Sequence, residues 1–206
     1  MASPLTETRY LDAAMELTGC TAVIFTSANA VTGFCRLSPR RDLEALCVGA
    51  RTAEVARRAG FAASEGPGDA EGLARQIVTN GGHRRLVYPH GAEIAFDMEG
   101  QLAKAGIDLV STIVYDQVPC RADDRLLAAL GAGTPLLLPL FSPASARRAA
   151  EVMAGARAPL LVAAMSERVA KAALALDPAA MRIAARPDAP AMLATLGALI
   201  AASGSA

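Results

Sequence analysis

Hydroxyl side chains follow two apolar stretches of the chain, at points where each stretch gives way to a helical pattern. The residues that follow the apolar runs at 22–25 and 136–141 in this way are Thr26, Ser27, Ser142 and Ser145. Aligned on Phe25 and Phe141, the two stretches match Thr26 with Ser142 and Asn29 with Ser145. Backbone N–H groups in the first turn of a helix have no partner within the helix, and they favour anions. The two turns are therefore candidate anion-binding loops, although plain helix caps would have the same sequence.

A second pair of turns recurs at nearly equal distances downstream, with an arginine at the same place in each. Gly49-Ala50-Arg51-Thr52 forms one turn, and Ser166-Glu167-Arg168-Val169 forms the other. A cation near a helix N-terminus is unfavourable unless an anion offsets it. Arg51 and Arg168 are thus candidates for contact with a polyanionic ligand, and solvated surface arginines remain the alternative. Asp69 and Asp188 form a third matched pair of helix starts.

These matched landmarks predict two related α/β units. Apolar runs without alternation are typical of strands in parallel sheets covered on both faces, and we expect strands at 22–25, 45–48, 85–88, 108–115, 136–141, 159–165 and 181–184. Helices are expected at 11–17, 26–33, 52–59, 70–79, 92–104, 123–130, 167–176 and 188–202, and a further helix is expected to start at Ser142-Pro143. Leu5 to Tyr10 could add a strand to the second unit. Pro139 predicts a distortion or a sheet edge. Ligands bind at the carboxyl ends of parallel strands, so the paired loops suggest a cleft between the units.

Composition excludes several classes of function. The chain has 206 residues, 53% of them hydrophobic, and a formal net charge of +0, so no global field recruits nucleic acid or a membrane. Its four cysteines and two histidines lack metal-ligand spacing, so we expect no metal and no disulfide framework. The residues after Met1 lack the apolar core of a secretion signal, and the apolar run at 192–202 is short of the ~20 residues that span a bilayer. We expect a cytoplasmic protein.

A nucleotide-dependent α/β enzyme is a further possibility, because the glycines at 66–72 are superficially similar to a dinucleotide-binding fingerprint. Gly66, Gly68 and Gly72 have the wrong spacing for a dinucleotide fingerprint, and Pro67 removes an N–H that a phosphate would use. The segment is better explained as a loop followed by a cap at Asp69. No other phosphate-binding loop occurs in the chain, which disfavours this class.

Seven motifs, in order and with appropriate spacing, resemble uroporphyrinogen-III synthase over almost the whole chain. They are Phe25-Thr26-Ser27-Ala28-Asn29-Ala30-Val31, Val48-Gly49-Ala50-Arg51-Thr52-Ala53, Gly68-Asp69-Ala70-Glu71-Gly72-Leu73, Tyr88-Pro89-His90-Gly91, Val114-Tyr115-Asp116, Phe141-Ser142-Pro143-Ala144-Ser145-Ala146, and Pro187 to Leu193. The resemblance implies two flavodoxin-like (Rossmann-like) three-layer α/β domains with parallel sheets, joined by two linker strands. The first domain would be 12–115, and the second would combine 1–11 with 120–206.

The resemblance also implies a reaction. Hydroxymethylbilane, a linear tetrapyrrole with many carboxylates, would be cyclised with inversion of ring D and loss of water, without a cofactor or metal. Tyr115 matches the family's candidate for assisting departure of the hydroxyl, and a neutral phenol can donate the required hydrogen bond. The residues that match or accompany the family's carboxylate-binding loops are Thr26, Ser27, Arg51, Thr52, Ser142, Ser145, Ser166 and Arg168. A transient hand-off of substrate from hydroxymethylbilane synthase is a possible partnership.

Two departures from the family pattern suggest an alternative. The family has a strand, a turn and a helix before the segment matched by residues 4–10, so we expect the C-terminal domain to lack its first βα unit and to expose a sheet edge that favours self-association. Val169 stands where the second copy of Thr52 is expected, and Ser166 replaces a glycine. The alternative is an N-terminally shortened homologue that binds tetrapyrroles or other anions with weak or no activity.

Overall fold

The computed structural model describes residues 3–203, which form a mixed α/β fold with two sheets. The larger sheet has the strand order β1-β6-β5-β2-β3-β4 and consists of β1 (Thr6–Tyr10), β2 (Ala22–Phe25), β3 (Glu44–Cys47), β4 (Ala63–Glu65), β5 (Arg85–Gly91) and β6 (Asp108–Pro119). The smaller sheet has the order β7-β8-β9 and consists of β7 (Leu136–Leu140), β8 (Leu160–Ala164) and β9 (Ala180–Ile183). The pairs β2·β3, β2·β5, β3·β4, β5·β6, β7·β8 and β8·β9 are parallel, as the sequence predicted.

Eight α-helices connect these strands within residues 3–203. They are α1 (Ala28–Leu37), α2 (Ala50–Arg58), α3 (Ala70–Asn80), α4 (Met98–Ala103), α5 (Asp124–Gly131), α6 (Pro143–Val152), α7 (Glu167–Ala173) and α8 (Ala189–Ser203), with a 3₁₀ turn at Leu174–Leu176. The chain folds into two compact units. We call Thr8–Val118 the first unit, and Met1–Glu7 with Pro119–Ala206 the second unit. The sequence-based boundaries at 12–115 and 120–206 stay a prediction.

The core of the first unit lies on both faces of β2. All four β2 residues are fully buried, as expected for a covered parallel strand. Val23 and Phe25 pack into one apolar cluster, and Ala22 and Ile24 pack into the cluster on the opposite face, because side chains alternate along a strand. Phe25 also meets Phe34 edge to face, with ring centroids 5.9 Å apart. This double burial fixes where β2 ends and therefore where the Thr26-Ser27 turn begins.

The internal repeat is present, but its first motif is shifted by one residue from our alignment. Each copy has the order strand, helix, strand, helix, strand, helix, from β2 to α3 and from β7 to α8. The helix cap lies two residues after the strand in both copies, at Ser27 and at Ser142. Ser27 therefore corresponds to Ser142, and the predicted match of Thr26 with Ser142 is wrong. Arg51 and Arg168 do correspond, since each lies two residues after its cap.

Pro139 lies in an edge strand, one of the two outcomes predicted for it. Within residues 3–203, β7 pairs only with β8. The Leu136 N–H donates to the Pro159 carbonyl, and the Leu140 carbonyl accepts from the Met165 N–H, so the even-numbered residues of β7 face β8. The nitrogen of Pro139 consequently faces the open side, where no ladder hydrogen bond is lost.

Three local predictions were wrong. Residues 11–17 are not helical: the Leu11 N–H bonds to the Val114 carbonyl, and the run is too short to be a helix without tertiary support. Residues 92–97 form a loop before α4, whose cap is Asp97. Helix α1 continues through Gly33, because the glycine permits a close approach to Val114 rather than ending the helix. β1 also differs from expectation, since it lies beside β6 rather than beside a strand of the smaller sheet.

Candidate functional site

The carboxyl edge of the larger sheet brings two of the predicted residues into direct contact. Ser27 is the N-cap of α1, and its Oγ accepts a hydrogen bond from the Ala30 N–H at 3.1 Å. The Tyr115 hydroxyl, on β6, lies 3.1 Å from the same Ser27 Oγ. Because the cap uses only one lone pair of Ser27, its hydroxyl proton can be donated to Tyr115. The phenol proton of Tyr115 is then available to a bound molecule.

Thr26 lies one residue earlier and has a different partner. Its Oγ1 is 3.4 Å from the Tyr88 hydroxyl, which comes from the neighbouring strand β5. Burial raises the pKa of Tyr88, and the hydrogen bond with Thr26 only partly opposes this shift. Tyr88 is therefore a neutral phenol at physiological pH, and this pair of hydroxyls carries no negative charge that would repel a carboxylate.

The start of α2 is the candidate anion-binding turn of the first unit that has no side-chain cap. Among the helices of residues 3–203 whose N-cap is described, α2 is the one α-helix without a side-chain cap, because its N-cap is Gly49. Arg51 is exposed in the first turn, and Thr52 is buried with 6% of its surface accessible. Uncapped N–H groups beside a guanidinium favour a carboxylate. Since β2 and β3 are parallel neighbours, this turn and the Thr26-Ser27 turn lie at the same edge of the sheet.

The predicted residues of the second unit lie in two turns at the carboxyl edge of the smaller sheet. Leu140 at the end of β7 pairs with Ala164 at the end of β8, so the turn at Ser142 and the turn at Ser166 are neighbours. Ser166 accepts from the Val169 N–H at 3.4 Å, and Arg168 is exposed. The two turns repeat the arrangement seen in the first unit, except that the second helix here has a hydroxyl cap.

The hydroxyl of Ser145 is already used within its own turn. Ser142 and Ser145 form a reciprocal capping box, in which each side chain accepts from the backbone N–H of the other. Ser145 Oγ also donates to the Ser142 carbonyl at 2.7 Å. The Ser142 hydroxyl proton is not used in the box, so Ser142 is the better placed of the two to meet a ligand.

The family model for uroporphyrinogen-III synthase HemD matches residues 1–194 of the chain. The chain belongs to this family. Uroporphyrinogen-III synthases function in porphyrin and haem biosynthesis, and the match confirms the family that the sequence motifs resembled.

Solved structures of uroporphyrinogen-III synthases share the fold. A uroporphyrinogen-III synthetase from Helicobacter pylori 26695 is 20% identical with a TM-score of 0.73, and the match covers 95% of this chain and 91% of that one. A mutant uroporphyrinogen III synthase from the extremely thermophilic bacterium Thermus thermophilus is 17% identical with a TM-score of 0.51, covering 97% of this chain and 88% of that one. No curated protein matches the chain significantly.

Three polar residues that are joined by hydrogen bonds at the first turn of α1 were not among the predicted site residues of this member of the uroporphyrinogen-III synthase family. Asn29 Nδ2 donates to Thr8 Oγ1 at 3.4 Å, and Gln117 Nε2 donates to the same oxygen at 2.8 Å. Asn29 lies in the first turn of α1, while Thr8 and Gln117 come from β1 and β6. The alternation of Thr6, Thr8 and Tyr10 along β1 was the available signal, but the sequence does not show that β1 lies beside β6.

Neither metal-binding clusters nor membrane-spanning helices are found in the part of the chain that the structure describes. Within residues 3–203, no three His, Cys, Asp or Glu side chains come together as ligands for a metal ion. No helix in the same range has the length and apolar character needed to cross a bilayer.

Proposed function

We propose that this protein converts hydroxymethylbilane into uroporphyrinogen III, acting as a cyclising hydro-lyase. Family membership supports this activity. The observation that carries the assignment of the site is the contact of the Tyr115 hydroxyl with Ser27, at the sheet edge that also holds the uncapped start of α2. A phenol held at its oxygen by a serine can direct its own proton outward.

In the proposed mechanism, Tyr115 donates a hydrogen bond to the hydroxyl of the substrate's hydroxymethyl group as the C–O bond breaks. The phenol proton passes to this oxygen, which leaves as water, and an azafulvenium cation and the Tyr115 phenolate remain. Ring D then attacks this cation through its substituted carbon to form a spiro-pyrrolenine, which cleaves and closes again as the type III macrocycle. The proton that ring D loses on this closure returns to Tyr115. Ser27 donates to Tyr115 throughout, which keeps the phenol oxygen in place.

The substrate's carboxylates bind, in this proposal, at the helix starts. The free N–H groups of α2, with Arg51 and the hydroxyl of Thr52, hold one group, and Thr26 assists at the neighbouring turn. The second unit contributes hydroxyls from Ser142 and Ser166 and the guanidinium of Arg168, while Ser145 mainly orders its turn. The predicted site residues other than Tyr115, Ser27 and Ser145 thus act by holding the folded substrate.

The energy required is modest. Hydroxymethylbilane closes without an enzyme to the type I isomer, so the protein must make the spiro-forming route faster. A ~100-fold preference requires about 2.7 kcal/mol of differential transition-state binding. A hydrogen bond to a charged group contributes about 1.5–3 kcal/mol, so one or two well-placed carboxylate contacts are sufficient.

Two further features follow from the lability of the substrate and the state of the cysteines. We propose that the protein receives hydroxymethylbilane by transient hand-off from hydroxymethylbilane synthase, because free substrate is lost to the type I isomer. Cys20, Cys35, Cys47 and Cys120 are free thiols, which fits a reducing compartment such as the cytoplasm.

The activity is tested with substrate generated in situ from porphobilinogen by hydroxymethylbilane synthase. After oxidation, the type I and type III uroporphyrins are separated and quantified, with a reaction lacking this protein as the control. We expect type III to exceed the control. Only type I from a folded sample would refute the synthase and favour the alternative, an anion-binding homologue without activity.

A further inference from the structure

The ring of Tyr115 lies against a glycine whose neighbour is a buried histidine. A Cβ added to Gly91 would lie 2.7 Å from Tyr115 Cζ, 2.8 Å from Cε2 and 3.0 Å from the hydroxyl oxygen. Real side chains do not approach this closely, so any residue other than glycine at position 91 must displace the ring. The ring therefore occupies the place that a side chain at position 91 would take.

A bulge in β6 sets this contact. His90 pairs with Ile113, but Gly91 pairs with Tyr115, which leaves Val114 as the extra residue on β6. The Ala92 N–H then bonds to the Tyr115 carbonyl at 2.9 Å, and the Val114 carbonyl accepts from Leu11 on the other side. Bulges redirect side chains next to active sites, and here the redirected side chain is Tyr115.

His90 fixes the peptide on which the ring rests. Its Nδ1 is 2.7 Å from the Gly91 carbonyl oxygen, which can only accept, so Nδ1 carries the proton. In the neutral ring Nε2 then accepts from the Ser111 hydroxyl at 2.8 Å. His90 is 8% exposed and its ring centroid lies 4.8 Å from that of Tyr88, so the imidazole is held by contacts on several sides.

We propose that Gly91 and His90 are positioning residues for Tyr115. Gly91 leaves room for the phenol ring beside Ser27, and His90 holds the Gly91 carbonyl so that this surface keeps its orientation. Both act through Tyr115 and touch no reacting atom. The inference rests on the proposed role of Tyr115 in ring closure.

Gly91→Ala is the first test, with Gly133→Ala as the matched control, because a Cβ at Gly133 meets nothing within 4 Å. Removal of a proton donor from a reacting group lowers rates about a hundredfold or more, and we expect Tyr115→Phe and Gly91→Ala to lower kcat for type III formation by similar factors with little change in KM. The double variant should be no slower than Tyr115→Phe alone. Multiplied losses in the double variant would overturn the proposal, because Gly91 would then act independently of Tyr115.

Two substitutions test His90. Asn places a side-chain N–H near the position of Nδ1, whereas Leu has no donor. His90→Asn should retain most of the type III rate, and His90→Leu should lose it to the extent that Gly91→Ala does. An equal loss of the type III rate in both variants would show that the N–H donated to the Gly91 carbonyl is not the feature of His90 that supports Tyr115.

An NMR measurement distinguishes a failure of this positioning role from a failure of the proposed function. The chain has three tyrosines, so protein labelled with ¹³C at tyrosine Cζ gives three signals, and the one absent in Tyr115→Phe is that of Tyr115. Gly91→Ala should shift this signal, whereas Gly133→Ala should not. An unchanged Tyr115 signal in Gly91→Ala overturns the positioning role even if the wild-type protein makes no type III product. A shifted signal with no type III from the wild type would refute only the synthase.

Discussion

Ser27 performs two tasks that substitutions can separate. Its Oγ caps α1 through the Ala30 N–H and contacts the Tyr115 hydroxyl. Replacement of a Ser cap by Ala lowers the free energy of unfolding by about 1 kcal/mol, whereas replacement by Gly lowers it by only a few tenths. Both substitutions remove the Tyr115 contact. A net hydrogen bond contributes about 1 kcal/mol, which corresponds to about a fivefold change in rate.

We therefore expect Ser27→Ala and Ser27→Gly to lose about fivefold in type III formation, while only Ser27→Ala loses measurable stability in urea unfolding. Asp123→Ala is the control, because Asp123 caps α5 through the Leu126 N–H at 2.7 Å and lies outside the proposed site. It should lose stability without losing type III activity. Activity that follows stability across all three variants, with Ser27→Gly as active as the wild type, would refute the role of Ser27 in holding Tyr115.

Three further outcomes are expected. Arg51→Ala should raise the KM for hydroxymethylbilane about tenfold and leave the free energy of unfolding unchanged. Arg58→Ala, which removes an exposed ion pair with Glu54 on the same helix, should change neither quantity. Equal KM values in the two variants would contradict the binding of a substrate carboxylate by Arg51. Burial raises the pKa of Cys47 to about 11 from 9.0, so the unfolded chain loses this thiol proton first, and stability falls as the pH rises from 9.0 towards about 11. Cys47→Ala should reduce the difference between the free energies of unfolding measured in urea at about pH 8 and about pH 10.5. An unchanged difference would contradict this effect of the Cys47 thiol. Pro139→Val places an N–H on the open side of β7 and should increase self-association, so a sedimentation velocity equal to that of the wild type would count against Pro139 as a protected edge.

Local chemistry in the sequence predicted the elements well where burial and caps coincide. The run from Ala22 to Phe25 has no alternation and is fully buried, and Ser142 followed by Pro143 begins α6 with a capping box. Pro139 indicated a distortion or a sheet edge, and β7 is an edge strand among the residues that the structure describes. In each case the physical reason acts within a few residues, so the sequence contains it.

The errors arise where tertiary contacts override local patterns. Residues 11–17 have a helical pattern, but pairing with β6 holds Leu11 in an extended chain. Gly33 suggests a helix end, but the glycine is needed for the approach to Val114. The shift by one residue in the repeat arose because Phe25 was matched with Phe141 by residue type, whereas the strand ends show that it corresponds to Leu140.

The site was predictable as a set of residues but not as a set of contacts. Tyr115 and Ser27 were both expected from family motifs, and the structure brings them together across 88 positions of the chain. The Ser145 hydroxyl is used within its own turn, where it donates to the Ser142 carbonyl. The direction of this hydroxyl cannot be read from the spacing of the two serines. The support of Tyr115 by Gly91 depends on the bulge at Val114, which has no sequence signature here.

The Tyr115 hydroxyl is proposed to promote formation of the type III isomer. The most direct measurement is the ratio of type III to type I uroporphyrin formed from hydroxymethylbilane by the wild type, Tyr115→Phe and Tyr10→Phe. Tyr10→Phe is a matched control, since it removes a phenol whose hydroxyl lies 3.5 Å from Asn29 and not at Ser27. We predict that the wild type and Tyr10→Phe give mostly type III and that Tyr115→Phe shifts the product towards type I. A Tyr115→Phe variant that matches the wild type in rate and isomer ratio would contradict the account.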